Sequence, residues 1–129
     1  VCGYMELLFN EANRNAFGFD VKVFHEIQFT EYHAEDAGTY NWHHDTTWVG
    51  STLQRRKLSM VIQLSNPEDY DGGRFEMSGD DCPCPIDSTA ILPRGTVVVF
   101  PSFLRHRVTP VTRGLRYSLV SWMEGPYFR

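Results

Sequence analysis

The sequence predicts a mainly β fold, a sandwich or barrel with one helix on its flank. Three observations lead there. The chain has 129 residues, 42% hydrophobic and 14% aromatic, which suits one globular domain with its own core. Helical spacing of apolar residues occurs once, near the start. After it come short stretches rich in β-branched and aromatic residues, about eight of them, separated by turn residues.

Taken in order, Tyr4 to Ala16 reads as a helix. Met5, Leu8, Phe9 and Ala12 recur at helical spacing, and Gly18 sits just past the expected end. Such a helix is expected to pack on a sheet. Phe24 to His33 reads as a strand, with Phe24, Ile27, Phe29 and Thr30 as β-formers. Ala34 to Gly38 is a short loop, and Thr39 to Thr46 a second strand. Trp48 to Arg56 is a polar loop. Lys57 to Ser65 is a strongly apolar strand built on Leu58, Met60, Val61, Ile62 and Leu64. Pro67 and Gly72-Gly73 make Asn66 to Gly73 a turn, followed by a short strand from Arg74 to Met77. Ser78 to Asp87 is an acidic loop. Thr89 to Leu92 and Thr96 to Phe100 are strands split by Pro93-Arg94-Gly95. Arg105 to Val111 and Leu115 to Trp122 form the last pair, joined across Thr112-Arg113-Gly114. There is no repeat, low-complexity tract or linker, so residues 1–129 are expected to form a single domain. The chain starts at Val1, which leaves room for an upstream segment.

Charge and cysteine content narrow the function. A net charge of −4 provides no electrostatic footprint for nucleic acid or an anionic membrane. The basic clusters Arg55-Arg56-Lys57 and Arg105 to Arg107 read as solvated surface. No apolar run approaches the roughly 18 residues of a membrane span. Cys2, Cys82 and Cys84 are an odd count without a disulfide framework. Cys82-Pro83-Cys84 lacks the further ligands of a zinc site, so reduced thiols are expected. With no secretory signal visible, the expected location is cytoplasmic.

The chemistry concentrates at Tyr40-Asn41-Trp42-His43-His44-Asp45. On a strand, residues i and i+2 share a face. His43 and Asp45 then project together and His44 turns away. An imidazole and a carboxylate aimed at one point suit a divalent transition metal, which needs a third ligand. His25 and His33 lie on the preceding strand and read as surface or supporting residues. His106 stands at the start of a β-branched strand, a rigid platform. With His106 the set is two histidines and one aspartate, a facial triad that leaves coordination positions open, as non-haem Fe(II) oxygenases require. Arg116 lies across a turn from His106, inside the otherwise apolar strand Leu115 to Leu119. A buried arginine is costly unless paired. Its partner is a carboxylate of the protein or of a bound dicarboxylic acid.

The ordered set His43-x-Asp45, His106 and then Arg116 resembles the Fe(II)/2-oxoglutarate-dependent dioxygenases, and within them the prolyl 4-hydroxylase branch. Tyr32 and Tyr40, Gly72-Gly73, His106 to Val111 and Gly114 to Leu119 support the resemblance, which runs from about Phe24 to Trp122. It implies a double-stranded β-helix, or jelly roll, with the metal between its sheets. It implies iron ligation by His43, Asp45 and His106, and a grip on 2-oxoglutarate by Arg116 and the Tyr32 hydroxyl. Tyr40, Arg56 and Trp122 fall where prolyl 4-hydroxylases contact the peptide. The competing reading of Tyr40 and Trp122 is aromatic packing, and of Arg56 a solvated charge. Many prolyl 4-hydroxylases carry Lys at the position of Arg116, and often Thr where Arg74-Phe75 follows Gly72-Gly73 here. The implied activity uses Fe(II), 2-oxoglutarate and O2, with ascorbate as reductant, to hydroxylate prolyl residues in a peptide or protein. The alternatives are the same chemistry on a free amino acid, another small molecule or an alkylated base, and a jelly-roll binding module without turnover. An acidic chain fits nucleic acid poorly.

Overall fold

The computed structural model describes residues 2–21, 23–36, 38–45, 54–77 and 90–126. Helix α1 (Cys2–Ala12) opens the chain and widens into a π-helical turn over Asn13–Phe17. Gly18 ends it in the left-handed conformation, φ 66°, and donates its N–H to the Asn13 carbonyl. Met5 and Phe9 are fully buried against Leu58, Met60 and Met123. Burial of each such side chain contributes about 1.5–3 kcal/mol, and this, more than helix propensity, holds α1 in place.

Eight strands among the described residues form two antiparallel sheets. The larger has the order β1 (Val23–His33), β8 (Val111–Pro126), β3 (Gln54–Gln63), β6 (Val97–Pro101), with β4 (Tyr70–Gly72) paired to the start of β8. The smaller has the order β2 (Tyr40–His43), β7 (His106–Val108), β5 (Phe75–Met77). This is a jelly roll with an N-terminal flanking helix. Alternation along β3 divides the labour. Leu58, Met60 and Ile62 face α1, while Ser59, Val61 and Gln63 face the smaller sheet. The opposite strand follows suit, since Trp122, Val120 and Ser118 pair with Ser59, Val61 and Gln63. A second core of Tyr32, Val61, Tyr70, Phe75, Phe100, Val108 and Val111 lies between the sheets.

Several local expectations are corrected. Asn66 to Gly73 is more than a turn: a short 3-10 helix (Pro67–Asp69) leads into β4. Thr112 to Gly114 does not break the chain into two strands, because β8 runs unbroken from Val111. Gly114, at φ 77°, lies inside that strand opposite Tyr70, and a Cβ there would sit 2.0 Å from the Asp69 carbonyl oxygen. The real break comes earlier, at Thr109-Pro110, and carries the chain from the smaller sheet to the larger. His106 and Arg116 therefore sit on facing sheets, not on one hairpin. Ala90 to Leu92 form a turn instead of a strand, closed by Gly95, whose N–H reaches the Gln63 carbonyl at 2.7 Å. The polar loop up to residue 53, the acidic loop with Cys82 and Cys84, and Thr89 lie outside the described residues.

Candidate metal and carboxylate site

β2 and β7 pair with a register shift between Tyr40 and His43 that sets His43 directly opposite His106. Strand β2 ends at His43, and Asp45 lies beyond it in a bend. Strand alternation is thus not what aims Asp45 at the histidines. Its N–H donates to the Ser102 carbonyl at 2.8 Å, which ties it to the end of β6. The Asp45 Oδ1 lies 3.4 Å from Nε2 of both His43 and His106. These three donor atoms fall within 4.8 Å of one another, and Asp45 and His106 are buried. His44 is exposed, borders the cavity and stands outside the donor cluster. His33 is at the surface beside Glu31, 2.9 Å away.

The hydrogen bonds around the cluster assign the imidazole tautomers. The Nδ1 of His43 lies 2.7 Å from the Asn41 carbonyl, and the Nδ1 of His106 lies 2.9 Å from the Leu104 carbonyl. A carbonyl only accepts, so each Nδ1 carries the proton and each Nε2 turns a lone pair inward. Two imidazole lone pairs and a carboxylate oxygen then point at one another, an arrangement that calls for a cation. Burial alone would push the Asp45 carboxyl upward. The neighbouring His106 and His43 imidazoles and the Ser59 hydroxyl outweigh it and hold the group well below the usual carboxylate range. The donor set, two imidazoles and one carboxylate, fits Fe(II).

The far part of the same cavity is basic. Arg116 on β8 is 1% exposed and stands opposite Tyr32 on β1, its guanidinium carbon 5.2 Å from the phenol ring centre. One Nη2–H donates to Gln63 Oε1 at 2.8 Å. The buried Nε and Nη1 have no hydrogen-bond partner among the described residues. Leaving buried charged donors unsatisfied is expensive, so these open N–H groups call for acceptors, which a ligand carboxylate would supply. Burial pushes the Tyr32 phenol above its ordinary value, although Arg116 beside it pulls the other way. Gly73, at φ 58°, lets the Arg116 stem pass: a Cβ there would lie 3.1 Å from its Cδ.

A cavity of about 300 Å³ joins the two parts, bounded by His43, Asp45, His106, Tyr32 and Arg116 among others. Tyr40, Arg56 and Trp122 also line it. Tyr40 is half exposed and its ring lies 3.8 Å from that of His43. The Arg56 guanidinium covers the Trp122 ring at 3.9 Å. Trp122 is buried, and its indole N–H donates to Asp45 Oδ2 at 3.0 Å. Ser59, Ser102 and Gln63 are polar residues of the site that the sequence reading passed over. Ser59 and Gln63 share the face of β3 opposite Leu58, Met60 and Ile62, and alternation within that apolar run was the available signal. Ser102 carried none.

Comparison with known proteins follows the same lines. Residues 27–124 match the model of the 2OG-Fe(II) oxygenase superfamily. The chain belongs to this superfamily. A PKHD-type hydroxylase of Synechococcus sp. is 35% identical to this oxygenase-family chain over 105 residues, 80% of the chain and 44% of the relative. One of Acidovorax ebreus is 43% identical over 94 residues, 69% of the chain and 39% of the relative. The crystal structure of a Pseudomonas putida prolyl-4-hydroxylase superposes with a TM-score of 0.68 at 27% identity, over 98% of this chain and 66% of that one. This superfamily member thus spans less than half the length of the curated relatives it matches.

Proposed function

We propose that the chain carries the active site of a 2-oxoglutarate- and O2-dependent hydroxylase of prolyl residues in a peptide or protein. One observation carries the reading: a single cavity holds three convergent metal donors at one part and the unpartnered guanidinium N–H groups of Arg116 at another. His43, Asp45 and His106 would hold Fe(II), and Arg116 and Tyr32 would hold the distal carboxylate of 2-oxoglutarate. The bound metal and co-substrate supply the oxidation, in which 2-oxoglutarate, O2 and a C–H bond become succinate, CO2 and a C–OH group. The protein's own residues position and exclude. Arg116 fixes the co-substrate by charge and hydrogen bonding. Val61, Phe75, Phe100, Val108 and Val120 keep water from the reacting centre. Tyr40 at the mouth, and Arg56 over Trp122, would receive the peptide.

A prolyl substrate is supported by the family, by the PKHD-type relatives and by the likeness to the Pseudomonas putida prolyl-4-hydroxylase. The test is a screen of proline-containing peptides with Fe(II), 2-oxoglutarate, O2 and ascorbate as reductant, read by succinate release and mass spectrometry. A gain of one oxygen on proline is expected. Oxygen appearing only on a free amino acid rejects the peptide substrate. Metal binding without any succinate points to a binding module.

A further inference from the structure

Asp45 has two oxygens, and the structure treats them differently. Oδ1 faces the two histidines. Oδ2 faces the larger sheet, where it accepts from Ser59 Oγ at 2.5 Å and from Trp122 Nε1 at 3.0 Å. Ser59 and Trp122 are register partners on adjacent strands, so their two donors reach Asp45 from neighbouring positions on one sheet face. Behind them, Ser102 is fully buried and its hydroxyl lies 2.9 Å from that of Ser59. Its main chain binds both ways, donating to the Lys57 carbonyl and accepting from Asp45 N–H. Among these groups the indole N–H can only donate. It therefore competes with any metal for Oδ2 while leaving Oδ1 free.

We infer that Trp122, together with Ser59, is a positioning residue that fixes Asp45 as a one-oxygen metal ligand. The inference rests on the reading of His43, Asp45 and His106 as a metal centre. It changes what Trp122 does: the residue acts through Asp45 even when no substrate is present. With Oδ2 committed to two donors, the carboxylate cannot rotate to chelate the ion through both oxygens. The coordination positions needed by other ligands then stay open.

The test titrates Co(II) into the full chain and into Trp122→Phe, Ser59→Ala and Ser59→Thr, with neither peptide nor 2-oxoglutarate present. The visible ligand-field bands report both affinity and geometry. Trp122→Phe keeps most of the ring and loses the N–H. It is expected to weaken Co(II) binding about 10- to 100-fold and to alter the band pattern. Ser59→Ala is expected to do the same in part, and Ser59→Thr to restore binding by keeping the hydroxyl. Circular dichroism identifies any variant that fails to fold; should Trp122→Phe do so, the two Ser59 variants carry the test. Unchanged affinity and bands in the folded variants overturn the inference while leaving the metal centre standing. No Co(II) binding by the unsubstituted chain overturns both.

Discussion

His43 and His106 are register partners across β2 and β7, and their ring centres lie 4.2 Å apart. Two donors thus come from one rigid ladder, each locked by a carbonyl on its Nδ1. His106→Ala removes the more buried of the two. Its Co(II) affinity should fall at least about 100-fold, beyond the usual cost of losing a supporting residue, and succinate formation should fall to background. Isothermal titration and a succinate assay check this. Full activity in that variant sinks the triad.

Arg116→Ala should act on the co-substrate and spare the metal. Truncating one member of a buried charge pair costs about 2–5 kcal/mol, or roughly 30- to several-thousand-fold in the Kd of 2-oxoglutarate. Arg116→Lys should fall between, because an ammonium offers a point charge where the guanidinium offers a fork. Equal losses of Co(II) and 2-oxoglutarate affinity would show that Arg116 supports the whole site.

Gly73→Ala tests the passage of the Arg116 stem. The backbone is left-handed there, and the new Cβ would lie 2.9 Å from Val111 Cγ2 and 3.1 Å from Arg116 Cδ. Destabilisation of about 1–2 kcal/mol should appear as a lower urea midpoint. The Kd for 2-oxoglutarate should rise as well, through displacement of the guanidinium.

Tyr32 sets an alkaline limit. Its folded-state pKa is raised above the ordinary value of 10.0, chiefly by burial. The folded state therefore holds this proton more tightly than the unfolded state does. The resulting stability is fully present below pH 10.0 and is lost as pH rises from there through the folded value. Thermal midpoints followed above pH 10.0 should fall less steeply for Tyr32→Phe than for the unsubstituted chain. Matching slopes reject the assignment.

The sequence exposed the candidate donors because their chemistry is rare where it occurs. An arginine between Leu115 and Tyr117, or a histidine opening a β-branched strand, has few inexpensive explanations. Ser59 and Ser102 stayed hidden for the opposite reason: serine fits almost anywhere, and only the β3–β8 and β3–β6 registers bring them to Asp45. Gly114 misled because a left-handed glycine usually marks a turn, whereas here it makes room for the Asp69 carbonyl inside a continuous strand. The convergence of His43 and Asp45 was expected for the wrong local reason. Asp45 is aimed by a hydrogen bond to Ser102, a residue far along the chain, and no local periodicity contains that information.

Phe75 on β5 and Phe100 on β6 lean together from facing sheets, ring centres 5.4 Å apart, and both flank the His106 ring. Two donors ride on one sheet while the third is anchored to the other. At the proposed metal centre, the thickness of this aromatic contact would be the jaw setting of a caliper closed on the ion. Phe100→Leu removes no donor atom, yet it should narrow the jaws and shift the ratio of Mn(II) to Co(II) affinity toward the smaller ion. Competition titration reads that ratio directly, and an unchanged value would place the gauge elsewhere in the fold.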